Sequence, residues 1–254
     1  SACEKSHKVE KAMELFADMQ QRGLIPEVST YTALISACEK GNKVEKAMEL
    51  FAEIQQRGLI PEVCTYTTLI SACEKSHKVE KAMELFADMQ QRGLIPEVST
   101  YTALISACEK GNKVEKAMEL FAEIQQRGLI PEVCTYTTLI SACEKSHKVE
   151  KAMELFADMQ QRGLIPEVST YTALISAREK GNKVEKAIEL YGEMQQRGLI
   201  PEMSTHNGLI SACEKGNKVE EAIDLFTEMK QRGLIPEVST YNALISACEK
   251  GNKV

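Results

Sequence analysis

Residues 28–62 read VSTYTALISACEKGNKVEKAMELFAEIQQRGLIPE, and this 35-residue string recurs with few changes from one end of the chain to the other. The seven prolines mark it: Pro26, Pro61, Pro96, Pro131, Pro166, Pro201 and Pro236 each stand 35 residues from the next. A strict period of this size belongs to a solenoid, in which one supersecondary unit stacks on copies of itself. The copying is close. Residues 71–140 repeat residues 1–70 without a change, residues 141–177 repeat 1–37, and differences begin at Arg178.

The 254 residues then form one array. A partial repeat, 1–27, precedes six full repeats, 28–62, 63–97, 98–132, 133–167, 168–202 and 203–237, and a partial repeat, 238–254, follows them. The terminal units of a solenoid ordinarily carry polar capping faces. Neither end here has one, so the chain is expected to be a fragment of a longer array. It would open in the last turn of one helix (residues 1–5) and stop at the start of another (Val254).

Within residues 28–62, Tyr31, Leu34, Ile35 and Cys38 fall at i, i+3, i+4 and i+7, one stripe of a helix. Ser29 or Thr30 is expected to cap its start and Gly41 to end it. A second helix is predicted from Asn42, with Glu45 three residues on in a cap-like pattern. Its stripe is Val44, Ala47, Met48, Phe51 and Ile54, widened by Leu50. It ends where Gly58 can take a left-handed conformation, Leu59 can pack back and Pro61 forbids continuation. In alternate repeats the Gly-Asn turn becomes Ser-His, at Ser6-His7, Ser76-His77 and Ser146-His147. These histidines read as weaker caps on exposed turns rather than as ligands. No strand signal and no tryptophan occur. The expected fold is an all-α, right-handed superhelical solenoid of antiparallel helix-turn-helix repeats. The second helix, with the broader apolar stripe, is placed outside and the first inside.

Composition excludes several classes of function. The net charge of −6 does not form the basic footprint usual in nucleic-acid binding. Of nine cysteines, seven (3, 38, 73, 108, 143, 213, 248) are one helical position in successive repeats, and Cys64 and Cys134 open alternate ones. With no C-x-x-C, this spacing points to small buried thiols, and no metal or other cofactor is implied. No run of about 18 apolar residues is present for membrane insertion. No zinc-deaminase motif, phosphate-cradling glycine loop or convergent acid–base set suggests an enzyme. Arg178 stands where other repeats have cysteine, and it is expected to reach the solenoid edge or pair with an acid.

The opening T-Y-T-A-L-I (30–35), Lys40, V-E-K-A-M-E-L-F-A-E-I (44–54) and the R-G-L-I-P-E-V junction (57–63) resemble the pentatricopeptide repeat (PPR) family of P-type, 35-residue repeats. The tetratricopeptide repeat, of similar size, has a 34-residue period and a W-x-x-L-G signature that are absent here. The resemblance covers the whole chain. It implies binding of single-stranded RNA at about one nucleotide per repeat, usually in a mitochondrion or chloroplast. The residues it implies as base-reading are Thr32, Thr67, Thr102, Thr137, Thr172, Asn207 and Asn242, with the repeat-ending Glu62, Glu97, Glu132, Glu167, Glu202 and Glu237. The lysines it implies as phosphate contacts are Lys40, Lys75, Lys110, Lys145, Lys180, Lys215 and Lys250. The family associates Thr plus a carboxylate with guanine and Asn with pyrimidines, so the implied target leans to purines. This chain departs from the pattern in having Glu where the family has Asp or Asn, and Ser or Cys (Ser29, Cys64, Ser99) where it often has an aliphatic residue. Glu39 and its equivalents also stand immediately before each lysine. The expected role is a non-catalytic module that acts on RNA by occupancy. The alternative is a scaffold that docks protein subunits of a large organellar assembly.

Overall fold

The computed structural model describes residues 2–251, with side chains from His7 onward. Fourteen helices and no strand occur among the described residues: α1 (Ala2–Gln21), α2 (Val28–Lys40), α3 (Val44–Gln56), α4 (Val63–Lys75), α5 (Val79–Gln91), α6 (Val98–Lys110), α7 (Val114–Gln126), α8 (Val133–Lys145), α9 (Val149–Gln161), α10 (Val168–Lys180), α11 (Val184–Gln196), α12 (Met203–Lys215), α13 (Val219–Gln231) and α14 (Val238–Gly251). They group into two compact units, residues 1–131 and 132–254.

Each unit is a stack of helical hairpins. In the first, α2, α4 and α6 lie side by side; α3 packs on α2 and α4, and α5 on α4 and α6. In the second, α8, α10, α12 and α14 form the row, with α9, α11 and α13 each packed on the two first helices that flank it. Within each unit the backbones of the second helices stand further apart than those of the first, and side chains bridge them: Gln90 Nε2 donates to Glu123 Oε1 at 3.1 Å and Gln160 Nε2 to Glu193 Oε1 at 3.0 Å. The first helices are therefore the closely spaced side of each stack. The expectation that the second helix buries the broader face is corrected. The interior first helix α4 buries Thr65, Tyr66, Leu69, Ile70, Ala72 and Cys73, while α3 buries Val44, Ala47, Leu50, Phe51 and Ile54. Helix α4 packs against α2, α3, α5 and α6, so it is covered beyond its own apolar stripe.

The hairpins are closed by backbone geometry more than by side-chain caps. At the end of α2 the Asn42 N–H donates to Glu39 O (3.2 Å) and the Lys43 N–H to Cys38 O (2.8 Å). That bond pair is a Schellman motif with Asn42 in the left-handed region (φ 59°), and His77 takes the same place at 56°. Asn and His tolerate this conformation better than most residues. So the Gly-Asn and Ser-His turns end the first helix rather than capping the second, which starts at Val44 with no side-chain cap at Lys43. Glycine at the preceding position serves close packing: a Cβ on Gly111 would lie 2.5 Å from Val79 Cγ2. At the other end of the hairpin Gly58 (φ 71°) is left-handed as predicted, with the Leu59 N–H on Ile54 O at 3.0 Å. Ser29 and Thr30 do not cap α2. The N-cap is Glu27, without a side-chain cap bond.

The N-terminal segment also differs from the reading. α1 runs unbroken from Ala2 to Gln21, through the Ser6-His7 pair that makes a turn elsewhere. The side chain of Cys3 and the helix start expected at Val254 lie outside the described residues.

Aromatic pairs join one repeat to the next. Phe51 meets Tyr66 edge-on (centroids 5.2 Å, 73°), and Phe86 meets Tyr101 in the same way (5.5 Å). The buried tyrosines of the first helices place their hydroxyls on an acid of the second helix of the same repeat: Tyr31 on Glu53 Oε1 (2.9 Å), Tyr66 on Asp88, Tyr101 on Glu123 (2.8 Å). Burial, then the hydrogen bond to Glu53, pushes the Tyr31 hydroxyl up to about 12. Arg57 completes the cluster on Glu53 at 2.7 Å.

Candidate nucleic-acid interface

In each unit the residues singled out for base reading lie along its row of first helices. Thr32, Thr67, Thr102, Thr137, Thr172 and Asn207 are half-buried, and Asn242 is exposed. Their spacing follows from the period: each is the fifth residue of its repeat, one residue past the aromatic (Tyr31, Tyr66, or His206 in its place), which is buried at every repeat except at Tyr241. Glu62, Glu97, Glu132, Glu167, Glu202 and Glu237 are all exposed, each at the extended residue before a first helix. The Thr65 N–H donates to Glu62 O (3.1 Å), and Thr65 Oγ1 lies 2.8 Å from Thr32 Oγ1. That places a repeat's reading residue beside the first turn that its final glutamate begins.

The threonine hydroxyls are already engaged. Thr32 donates to Val28 O at 2.9 Å and meets Thr65 at 2.8 Å; Thr67 meets Thr100 at 2.8 Å. In the second unit Thr137 meets Thr170 at 2.7 Å and Thr172 meets Thr205 at 2.8 Å, while Thr240 donates to Asn207 Oδ1 at 2.8 Å. The partners Thr65, Thr100, Thr170 and Thr205 are fully buried, and Thr240 nearly so. Sequence reading took this threonine only as a possible cap. The signal was its fixed place two residues before each reader and 33 residues after the previous one.

The lysine ladder is paired as well. Lys75 binds Glu39 and Lys215 binds Glu179, while Lys110–Glu74, Lys180–Glu144 and Lys250–Glu214 each close at 2.5 Å. Each glutamate thus serves the lysine of the following repeat, not the one beside it in sequence. A serine shares each carboxylate: Ser71 on Glu39 (3.3 Å), Ser106 on Glu74 (2.8 Å), Ser211 on Glu179 (2.9 Å), Ser246 on Glu214 (2.7 Å). Serine and lysine stand four apart on one helix, so both reach the same acid. The bonds from Lys250 and then Ser246 hold the Glu214 carboxyl below the usual glutamate range. The glutamate side chains are about one-eighth exposed, whereas Lys75 keeps 42 % and Lys110 29 % exposure. The row therefore offers ammonium groups whose charge is largely balanced at the surface, and no ion pair among the described residues involves Lys40.

Cys38, Cys73, Cys108, Cys143 and Cys213 are buried, while Cys64 and Cys134, which open first helices, and Cys248, in the last helix, are exposed. Burial pushes the thiols of Cys73 and Cys108 up to about 11, which leaves them protonated and unreactive near neutrality. Arg178 meets its expectations only in part. It is buried, and its Nε has no hydrogen-bond partner, although its charge helps to hold the Glu150 carboxyl low.

The sequence matches the PPR repeat family in seven overlapping segments, residues 1–40, 26–75, 61–110, 96–145, 131–178, 166–215 and 201–250. The chain belongs to the PPR family. Among solved structures, this PPR chain is similar to the pentatricopeptide repeat protein PPR10 from maize, at 28 % identity and a TM-score of 0.64, over 93 % of this chain and 34 % of that one. It therefore spans about a third of the maize protein's length. PPR10 in complex with an 18-nt psaJ RNA element matches at 20 % identity and a TM-score of 0.64, over 96 % of this chain and 40 % of that one. The PPR domain of Arabidopsis thaliana protein-only RNase P 1 in complex with tRNA matches at 18 % identity and 0.63, over 70 % and 94 %. No curated protein matches the sequence.

Proposed function

We propose that this PPR array binds single-stranded RNA along its row of first helices, at about one base per repeat, and acts by occupancy in organellar RNA metabolism without catalysis of its own. The observation that carries the reading is the succession of half-buried polar residues from Thr32 to Asn207, each beside the turn opened by an exposed glutamate. A side chain half out of a packed row and held in one orientation can meet a base edge without first giving up its freedom. The preference leans to purines over the Thr repeats and to a pyrimidine at Asn207. Selectivity is low, because a glutamate reaches one methylene further than the family's aspartate.

The paired ladder sets the electrostatics of this reading. A phosphate gains from Lys75 only as it draws the ammonium from Glu39, so the affinity supplied per lysine is less than a free cation gives. The test is anisotropy titration of labelled homopolymer RNAs at two salt concentrations. The parent chain is expected to bind at low salt, weakly and with a salt-dependent affinity. Replacing Glu39, Glu74, Glu179 and Glu214 by Gln frees four lysines, and binding to every RNA should tighten with a steeper salt slope. Replacing the ladder lysines by Ala should weaken every RNA alike. Replacing the repeat-ending glutamates by Asp should sharpen preference for a G-rich over a U-rich run at unchanged slope. The self-neutralised ladder favours a second reading, a scaffold for protein subunits. Failure of the parent to bind any of the four homopolymers at low salt decides for it.

A further inference from the structure

The buried threonines that touch the reading residues have a direction built into their hydrogen bonds. A threonine hydroxyl has one proton and two lone pairs. Thr32 commits its proton to Val28 O at 2.9 Å, so the 2.8 Å contact with Thr65 must be filled by the Thr65 proton. Thr172 repeats the arrangement, with its proton on Val168 O (2.9 Å) and a 2.8 Å contact from Thr205. What remains on Thr32 or Thr172 is a single lone pair, an acceptor. At Asn207 the same buried position acts on an amide. Thr240 donates to Asn207 Oδ1 at 2.8 Å, which leaves the Nδ2 hydrogens as the free group, a donor. The direction of the Thr240 proton is itself held from behind, because the Glu237 backbone N–H donates to Thr240 Oγ1 at 3.2 Å. The Glu167 N–H does the same for Thr170 at 3.3 Å.

We infer that Thr240, buried in the first turn of its repeat, is a specificity-determining positioning residue, which fixes Asn207 of the preceding repeat as a hydrogen-bond donor. The inference rests on the RNA-binding reading and goes beyond it in assigning a role to Thr240, which is itself buried. Without that donor Asn207 can flip its amide and meet either kind of base edge. With it, Asn207 suits the carbonyl and ring-nitrogen acceptors of a pyrimidine. Thr32 and Thr172 need no such donor, because their proton is held by a carbonyl of their own helix, and they suit the N–H edge of guanine. One buried hydroxyl thus converts an ambiguous side chain into one of defined polarity, at no cost in surface.

The test uses the full chain and a set of single-stranded RNAs that differ at one base, titrated at fixed salt. The base facing Asn207 is the one whose preference changes in Asn207→Thr. In Thr240→Val, which keeps the buried shape, the preference at that base should fall about five-fold, the worth of one oriented hydrogen bond. Preference at other bases, the salt slope and the melting temperature of the array should stay close to the parent's. Thr240→Ser, which keeps the donor, should restore the preference. Thr205→Val should leave the preference at the base facing Thr172 unchanged, because the Thr172 proton stays on Val168 O, and Thr240→Ala carries the test if Thr240→Val does not fold. Unchanged discrimination at the base facing Asn207 in the Thr240 variant that folds, with RNA still bound, overturns the inference and leaves RNA binding standing. So does a uniform loss of affinity that serine fails to rescue, which would make the threonine a packing residue only. A parent chain that binds no RNA removes both readings together.

Discussion

The repeats of residues 28–131 and those of residues 168–237 follow one plan, yet they treat polar atoms in the core differently. In the first region the solution is copied: phenylalanine edge-on to tyrosine, the tyrosine hydroxyl on an acid, a small thiol beneath. In the second, three of those positions change. Tyr191 replaces the phenylalanine and His206 the tyrosine, and the two rings keep the edge-on pose at 5.9 Å and 71°. The hydroxyl has moved from the first helix to the second. It meets His206 Nε2 at 3.3 Å, while His206 Nδ1 meets Glu202 O at 3.0 Å. With the Nδ1 proton on the carbonyl, Nε2 accepts from Tyr191, and every polar atom of the exchanged pair is satisfied. Arg178 for cysteine has no such companion change, and its Nε is buried without a partner. A core position can thus turn polar at little cost when its neighbour changes with it, and a change made alone leaves a residual penalty.

The mirror pair Cys73→Arg and Arg178→Cys probes that penalty most directly. The first should cost about 2 kcal/mol and the second gain about as much, the price of one buried unpartnered donor with its charge. Thermal unfolding of both variants checks this. Equal and opposite shifts locate the cost in the guanidinium itself, whereas a neutral Arg178→Cys would show that its surroundings have already adapted.

The exchanged aromatic pair gives a smaller effect. Tyr191→Phe strands His206 Nε2 and should destabilise by about 1 kcal/mol. Tyr191→Phe with His206→Tyr rebuilds the pair of the regular repeats and should recover that loss. A double-mutant cycle by denaturant unfolding measures the coupling, and additivity would mean that the two rings are independent.

The smallest effect is spread over the array and appears at high pH. The Tyr31 hydroxyl is raised from 10.0 to about 12, and Tyr66, Tyr101 and Tyr191 are raised in the same sense. A raised value stabilises the protonated, folded form. That stability is complete below pH about 10 and is lost as pH climbs through the folded values. Helicity followed by circular dichroism should therefore fall between pH 10 and 12, and Tyr66→Phe should remove part of that fall while leaving the aromatic contact.

Much of the architecture was legible in residues 28–62. The period, both apolar stripes and the Gly58 stop each have a single geometric reading, because a helix face repeats every three to four residues and a left-handed residue favours glycine. The reading went astray at Asn42 and His77, taken for caps although they are the left-handed ends of first helices. A polar residue after glycine fits either role, and only the bonds from Lys43 and Lys78 back to Cys38 and Cys73 separate the two.

The candidate interface divides in the same way. Sequence by itself determined that one polar residue, one acid and one lysine recur every 35 residues, since a copied string must place copies at equal intervals along a stack. Tertiary structure alone decided what those groups are bound to. Glu39 stands next to Lys40 in the chain but bonds to Lys75, and Thr32, besides bonding Val28 O of its own helix, is met by Thr65 of the next repeat. The physical reason is that adjacent residues on a helix point about 100° apart, while residues nearly one repeat apart face each other across a helix–helix contact. Whether a repeated charge is free or paired, and whether a hydroxyl donates or accepts, is settled only when one repeat packs on the next.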